Sequence, residues 1–214
     1  MKIKKLGHCC MVLEPKAGVR IMTDPGAPDY SGVSTDERNI NLVLFTHGHS
    51  DHLHIDSLKE IIKNNPGVIV ITNTSVGKLL DAEQISYTKV EDGESYDFQG
   101  LKIIGFGDKH AEIYEEFGQV QNTGYMIDAF CYPGDSFSLP NVPVDILALP
   151  VIAPWMRIRE AIDYAKKIHP RVAFPVHDAV LKEFAKFIYT IPEHFLSKEN
   201  ISFKKLELGK EEDL

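Results

Sequence analysis

Short apolar runs separated by glycine, proline and polar turn residues recur along the chain and read as strands. They are Cys9–Leu13, Val19–Met22, Leu42–Phe45, Val68–Ile71, Leu101–Phe106, Tyr125–Cys131, Val144–Leu149 and Val172–Pro175. A second pattern, apolar residues every three to four positions, predicts helices. In Ser57–Asn65 the stripe is Leu58, Ile61 and Ile62, with Ser57 and Glu60 spaced as a capping box. Ile158–Ile168 repeats it with Ile158, Ala161, Ile162, Ala165 and Ile168, and Ala179–Ile188 with Leu181, Phe184, Ala185 and Ile188. A shorter helical stretch lies around Val76–Leu80. An all-β opening followed by alternating strands and helices predicts an α/β domain with two sheets covered by helices. That single domain is expected to span residues 1–209, with the acidic end 210–214 as a frayed, solvated tail.

The bulk numbers narrow the partners. A length of 214 residues suits one domain, and 43% hydrophobic with 25% charged residues is ordinary for a globular protein. A formal net charge of −8 argues against a broad basic surface for nucleic acid. It leaves room for a small phosphorylated substrate, since bound metal would supply local positive charge. Cys9, Cys10 and Cys131 form neither a C-x-x-C pair nor an even framework, which favours a reducing cytoplasm. The stretch Met1–His8 lacks the apolar core of a signal peptide, and no apolar run reaches the roughly 18 residues a membrane span needs. The expectation is a soluble cytoplasmic protein acting on a small molecule. A homo-oligomer is compatible with the pattern and nothing in it specifies one.

The chemistry is concentrated in His47-Gly48-His49-Ser50-Asp51-His52, just after the apolar run Ile40–Phe45. Imidazole and carboxylate are ligands for borderline divalent metals such as zinc, manganese or iron. Residues 47 and 49 of an extended segment project to one side and can reach one ion. Asp51 and His52 follow where the chain turns and can face a second. Three further candidates each stand where an apolar strand ends: His110, Asp135 and His177. Strand ends feeding one sheet edge are where open α/β architectures place a site.

These residues resemble the metallo-β-lactamase superfamily: H-x-H-x-D-H, then a histidine, a Gly-Asp and a last histidine, in the right order. Leu6-Gly7-His8, Ile21-Met22-Thr23-Asp24-Pro25 and the closing Pro175-Val176-His177 are similar to small prokaryotic metal-dependent hydrolases near ascorbate-6-phosphate lactonase and N-acyl phosphatidylethanolamine phospholipase D. The resemblance implies an αββα sandwich with the site at one edge. It implies one ion on His47, His49 and His110, a second on Asp51, His52 and His177, and Asp135 bridging them. The ions would be zinc, with manganese or iron as alternatives. Asp51 would orient a metal-bound hydroxide, and Asp24 would hold a ligand imidazole by its far N–H. The implied reaction is hydrolysis of an ester, lactone or phosphodiester.

Each candidate has a plainer reading. His110 can be a surface-loop histidine, and Asp135 an ordinary turn residue after Pro133-Gly134. Asp178, beside His177, can cap a following helix. His8 either lines the pocket or pairs with a backbone group. Trp155 is either core or, with Arg157 or Arg159, a substrate contact. Residues 111–123, carrying Tyr114 and Phe117, form a lid, a partner contact or a solvated loop. His54, His169 and His194 are expected outside the ligand set. Two rival functions stand beside hydrolysis: a non-catalytic metal-binding or sensing module, and a nuclease. The absence of an insert between Asp135 and His177, together with the acidic charge, disfavours the nuclease.

Overall fold

Side chains alternate between the two faces of a strand, and here both faces of most strands are apolar, so each sheet must be covered on both sides. A computed structural model describes residues 1–16, 18–185 and 187–214. It runs β1 (Lys2–Lys5), β2 (Met11–Lys16), β3 (Val19–Thr23), α1 (Pro28–Ser31), β4 (Leu42–Leu44), α2 (Ile55–Asn64), β5 (Ile69–Thr72), α3 (Thr74–Ala82) and β6 (Thr88–Lys89). It continues through β7 (Ser95–Phe98), β8 (Leu101–Phe106), β9 (Gly124–Ile127), β10 (Phe130–Tyr132), β11 (Ile146–Pro150), α4 (Ile158–Ile168), β12 (Val172–Val176), α5 (Phe187–Ser197), β13 (Ser202–Phe203) and β14 (Glu211–Asp213).

Two seven-stranded sheets result, ordered β14-β1-β2-β3-β4-β5-β6 and β13-β12-β11-β10-β9-β8-β7. Leu13, Ile21, Leu42 and Leu44 of the first sheet share the central core with Ile103, Tyr125, Phe130 and Phe174 of the second. The other face of the first sheet, with Val12, Met22, Val43 and Phe45, packs on Leu58 and Ile61 of α2 and Val76 and Leu80 of α3. Met126, Cys131, Leu147 and Leu149 of the second pack on Ala161, Ile162 and Ala165 of α4 and Leu196 of α5. Each such buried aliphatic side chain contributes about 1.5–3 kcal/mol. The layers are helix, sheet, sheet, helix, as the resemblance implied.

Strand direction then places the site. β3 and β4 are parallel neighbours, as are β10, β11 and β12. β8 reaches β10 through two antiparallel steps and so points the same way. The residues after β3, β4, β8, β10 and β12 therefore emerge at carboxyl ends of strands.

Several local expectations fail for identifiable reasons. The run Tyr125–Cys131 is a hairpin, β9 and β10, because Asp128 turns the chain with φ +57°. Helix α2 starts before Ser57: His54 is the N-cap, its ring accepting from the Ser57 N–H, which replaces the expected Ser57–Glu60 capping box. The predicted 179–188 helix yields only a 3-10 turn at Glu183–Ala185, with Phe184 82% exposed. Residue 186 of that stretch lies outside the described residues. The helix comes later, as α5, where Pro192 reads as a breaker yet is accommodated while Ile188, Tyr189 and Ile191 pack on the second sheet.

The expected frayed tail is a strand. β14 pairs antiparallel with β1, and Lys2 Nζ meets Glu211 Oε1 at 3.0 Å. The terminal ammonium of Met1 meets Asp213 Oδ1 at 3.0 Å, and Leu214 packs on the central core. Charge complementarity and one apolar anchor hold a segment whose composition alone reads as solvated. Ending the chain after Gly209 is expected to cost about 1–3 kcal/mol, lowering Tm by roughly 3–10 °C in a melting curve. An unchanged Tm would mean that β14 adds nothing to stability. Among the described residues all three cysteines are free and buried, and no helix is long and apolar enough to cross a membrane.

Candidate metal centre

After β4 the chain stays extended through Thr46 and His47, then closes into a turn in which His52 and Leu53 N–H both donate to His49 O, at 3.0 and 2.8 Å. His47 and His49 thereby reach in from the extended part, their ring centroids 4.7 Å apart, and Asp51 and His52 come from the turn. His110 follows β8, and its Nδ1 donates to Ala111 O at 2.6 Å. His177 follows β12 with φ +61°, a left-handed conformation unusual outside glycine, and its Nδ1 donates to Ile152 O at 2.7 Å. Asp135 depends on the preceding Gly134. That residue has φ +64°, and a Cβ there would fall 2.4 Å from Asn122 Oδ1, the atom that accepts the Asp135 N–H at 3.0 Å.

Four strand ends, those of β4, β8, β10 and β12, thus bring every expected ligand residue to one place. The nitrogens of His47, His49 and His110 lie within 4.8 Å of one another, as do the ligand atoms of His8, Asp51, His52 and His177. Asp135 reaches both groups. Its Oδ1 is 3.3 Å from His52 Nε2, and its Oδ2 is 3.4 Å from His110 Nε2 and 3.0 Å from His177 Nε2. Trp155 is buried here, and its Nε1–H donates to Asp135 Oδ2 at 2.8 Å.

Asp24 lies beneath the cluster, fully buried with φ +36°. It accepts from Thr46 N at 2.8 Å, Thr46 Oγ1 at 2.6 Å, His52 Nδ1 at 2.7 Å and Tyr132 OH at 2.5 Å. The His52 contact is the imidazole-to-carboxylate geometry expected of Asp24. Because the Thr46 hydroxyl gives its hydrogen to Asp24, its oxygen is left to accept from His47 Nδ1 at 3.0 Å.

Electrostatics draw positive charge to the centre. Burial lowers His52, but Asp135, Asp24 and Asp51 outweigh it and push the imidazole up to about 9. Burial likewise opposes ionisation of Asp135, yet His52, His177 and His110 hold its carboxyl well below the usual range. His47 goes the other way: burial, reinforced by the neighbouring His52, keeps it well below its ordinary value and therefore neutral. Imidazoles, whose ring protons a metal can displace, facing ionised carboxylates are the donor set that divalent transition metals accept. The fit shows in the hydrogen bonding as well. His8, His47, His52 and His110 each bury an Nε2, and Asp135 an Oδ1, with no hydrogen-bond partner. Unpaired buried polar atoms cost about 1–3 kcal/mol each, and the four that belong to His47, His52, His110 and Asp135 stand in one cluster of expected ligands, so together they call for a bound cation.

The remaining candidates divide. Arg157 is exposed at the start of α4, where its N–H donates to Glu160 Oε2, and Arg159 pairs with Asp163. No hydrogen bond or ion pair joins either side chain to the cluster among the described residues. His54 caps α2, His169 ends α4 in the left-handed conformation, and His194 lies on α5. Residues 111–123 are tied at both ends, Ala111 N–H to Asp135 O and Thr123 N–H to Thr46 O, while Tyr114 and Phe117 stand exposed. At Gly118 this segment passes His49, since a Cβ there would lie 3.7 Å from His49 Cε1. Sequence reasoning missed Thr46, Asn122 and Tyr132. Thr46 and Tyr132 end or follow strands next to candidates and were findable by adjacency; Asn122 carries no signal.

Residues 2–177 match the model of the beta-lactamase superfamily domain. The chain is 28% identical over 197 residues to protein Rv0786c of Mycobacterium tuberculosis, covering 88% of this chain and 89% of that one. It is 26% identical over 190 residues to the UPF0173 metal-dependent hydrolase Ta0764 of Thermoplasma acidophilum, covering 83% of each. Among solved structures it is similar to Igni18, a metallo hydrolase from the archaeon Ignicoccus hospitalis, with TM-score 0.76 at 18% identity over 98% of this chain and 96% of that one.

Proposed function

The chain belongs to the beta-lactamase superfamily, and from that premise we propose that it is a dinuclear metal-dependent hydrolase cleaving an ester, lactone or phosphodiester bond in a small substrate. Relatives that carry the name metal-dependent hydrolase support the reaction class. The observation that carries the proposal is the convergence of four unpartnered buried polar atoms, Nε2 of His47, His52 and His110 and Oδ1 of Asp135, in one cluster. His47, His49 and His110 would hold one ion, Asp51, His52 and His177 the other, and Asp135 would serve both. When bound, two divalent ions supply Lewis acidity to the scissile carbonyl or phosphoryl group and acidify the attacking water.

The residues do the rest. Asp51 is the more open carboxylate, its side chain 23% exposed against 3% for Asp135. It can therefore accept a hydrogen bond from the attacking water and aim it. Asp24, through His52, and the carbonyls of Ala111 and Ile152, through His110 and His177, keep Nε2 of each ring turned inward. Three carboxylates against two divalent cations leave net positive charge, which suits an anionic substrate or charge developing on oxygen. The lactonase and phospholipase resemblance keeps lactones and phosphodiesters both within range. Three buried free thiols suit a reducing cytoplasm.

The test is hydrolysis of bis(p-nitrophenyl) phosphate and of a simple sugar lactone, with protein loaded separately with Zn²⁺ and Mn²⁺. Turnover of either that falls at least about 100-fold in Asp51→Ala is expected. Phosphodiester turnover would direct the search to nucleotides and lipid head groups, and lactone turnover to sugar acids. Firm metal binding without turnover of any ester, lactone or phosphodiester would favour the metal-sensing module instead.

A further inference from the structure

The imidazoles around the centre are not all turned the same way. His52 donates its Nδ1–H to Asp24, His110 to Ala111 O and His177 to Ile152 O. His47 does the same toward Thr46 Oγ1, whose own hydrogen is committed to Asp24. Each of these rings commits its Nδ1–H to an acceptor and turns Nε2 inward, where a cation can take it. His8 is reversed. The backbone N–H of Ala179 donates to His8 Nδ1 at 3.1 Å. That nitrogen is therefore an acceptor, and the neutral ring must carry its proton on Nε2. The Nε2 atom is buried without a hydrogen-bond partner, and Asp51 Oδ2 lies 3.4 Å from it.

The reversal is built into the fold. Two backbone hydrogen bonds hold His8: its N–H donates to Tyr30 O at 2.8 Å, and its carbonyl accepts from His177 N–H at 2.9 Å. A Cβ at Gly7 would fall 1.9 Å from that same Tyr30 oxygen, so only glycine allows this approach. The Ala179 N–H is aimed by its neighbour Asp178, which is locked by a buried Lys5 Nζ at 2.5 Å and by Tyr189 OH at 3.1 Å. Lys5 is itself tied to Pro175 O at 2.8 Å. The Ala179 N–H, with the backbone contacts that hold His8 beneath it, thus fixes which nitrogen of His8 bears the proton.

We propose that His8, although its nitrogen clusters with the Asp51, His52 and His177 ligand atoms, is not a metal ligand but a positioning residue that donates Nε2–H to Asp51 Oδ2. Resting on the reading of Asp51 as ligand and water-orienting group, this gives Asp51 a fixed rotamer and commits one of its oxygens. Without the donor, the half-open carboxylate is free to turn about its side-chain bonds. Metal content then stays intact while the chemical step slows.

The deciding measurement is ¹⁵N NMR of histidine-labelled protein loaded with Zn²⁺. The His8 Nε2 signal is expected to keep its one-bond proton coupling after loading, and to shift in Asp51→Ala. Metal analysis of His8→Ala and His8→Gln is expected to match the unsubstituted protein. The Ala variant should lose about 10–100-fold in kcat with KM little changed. His8→Gln, whose amide can still donate toward Asp51, should recover most of that loss. Loss of the Nε2 proton on loading, or one ion fewer in His8→Gln, would make His8 a ligand and overturn the proposal. If His8→Ala fails to fold, the NMR result on the native chain still decides. If the chain hydrolyses none of the esters tested, the tautomer and metal content still report on His8, so failure of the hydrolase reading is separately visible.

Discussion

Asp135→Ala is expected to strip the protein of metal and abolish hydrolysis, the largest effect of any single substitution here. The side chain is buried, with His52 on one carboxylate oxygen and His110, His177 and Trp155 on the other. Removing it takes away the negative charge on which both groups of imidazoles converge and leaves the buried Trp155 N–H without its acceptor. The loss in metal affinity should exceed the roughly 10–100-fold typical when a partner behind a ligand is removed, because here a proposed ligand of both ions is removed. Asp135→Asn separates charge from shape: it preserves volume and an acceptor for Trp155, so it should fold well yet bind metal poorly. Metal analysis after dialysis, beside a melting curve, checks both. Normal metal content in Asp135→Ala would remove this residue from the ligand set.

Asp24→Ala is expected to cost stability as well as affinity. One buried carboxylate there receives four hydrogen bonds, from the Thr46 backbone, the Thr46 hydroxyl, His52 and Tyr132. Truncation leaves those donors buried with no side-chain acceptor, a loss of about 3–5 kcal/mol. For a chain of this size that corresponds to a Tm about 6–20 °C lower. Released from Asp24, His52 can turn its ring and Thr46 its hydroxyl. Metal affinity should then fall by about 10–100-fold, although Asp24 lies outside both ligand groups. Thermal melts of metal-free protein and a competitive zinc titration separate the two effects. A change in affinity without a change in Tm would mean that the network adds no stability.

How much of this could be read from the chain depended on how local each signal was. The layers were legible because Leu42, Val43, Leu44 and Phe45 are apolar on both faces, which only a sheet covered on both sides tolerates. The six-residue stretch at His47–His52 and the strand-end position of His110, Asp135 and His177 named the residues that the fold gathers. Signals that depend on distant partners were hidden. Residues 211–214 look solvated until Lys2, the terminal amine and the central core are set beside them. α5 carries a proline whose cost is outweighed by packing that no local pattern reveals. His54 is a cap because of where the preceding turn delivers it, not because histidine is a common cap. Asn122, which holds Asp135 from thirteen residues away, is indistinguishable in sequence from any polar loop residue. The turn of His8 depends on the Ala179 N–H, far along the chain.

The most direct test of the central claim is anomalous diffraction from crystals of the protein grown with zinc, recorded on both sides of the zinc edge. Two peaks are expected, one among His47, His49 and His110, the other among Asp51, His52 and His177, with Asp135 between them and His8 contacting neither. A single peak would contradict a dinuclear centre. No peak within this cluster would contradict the metal site itself.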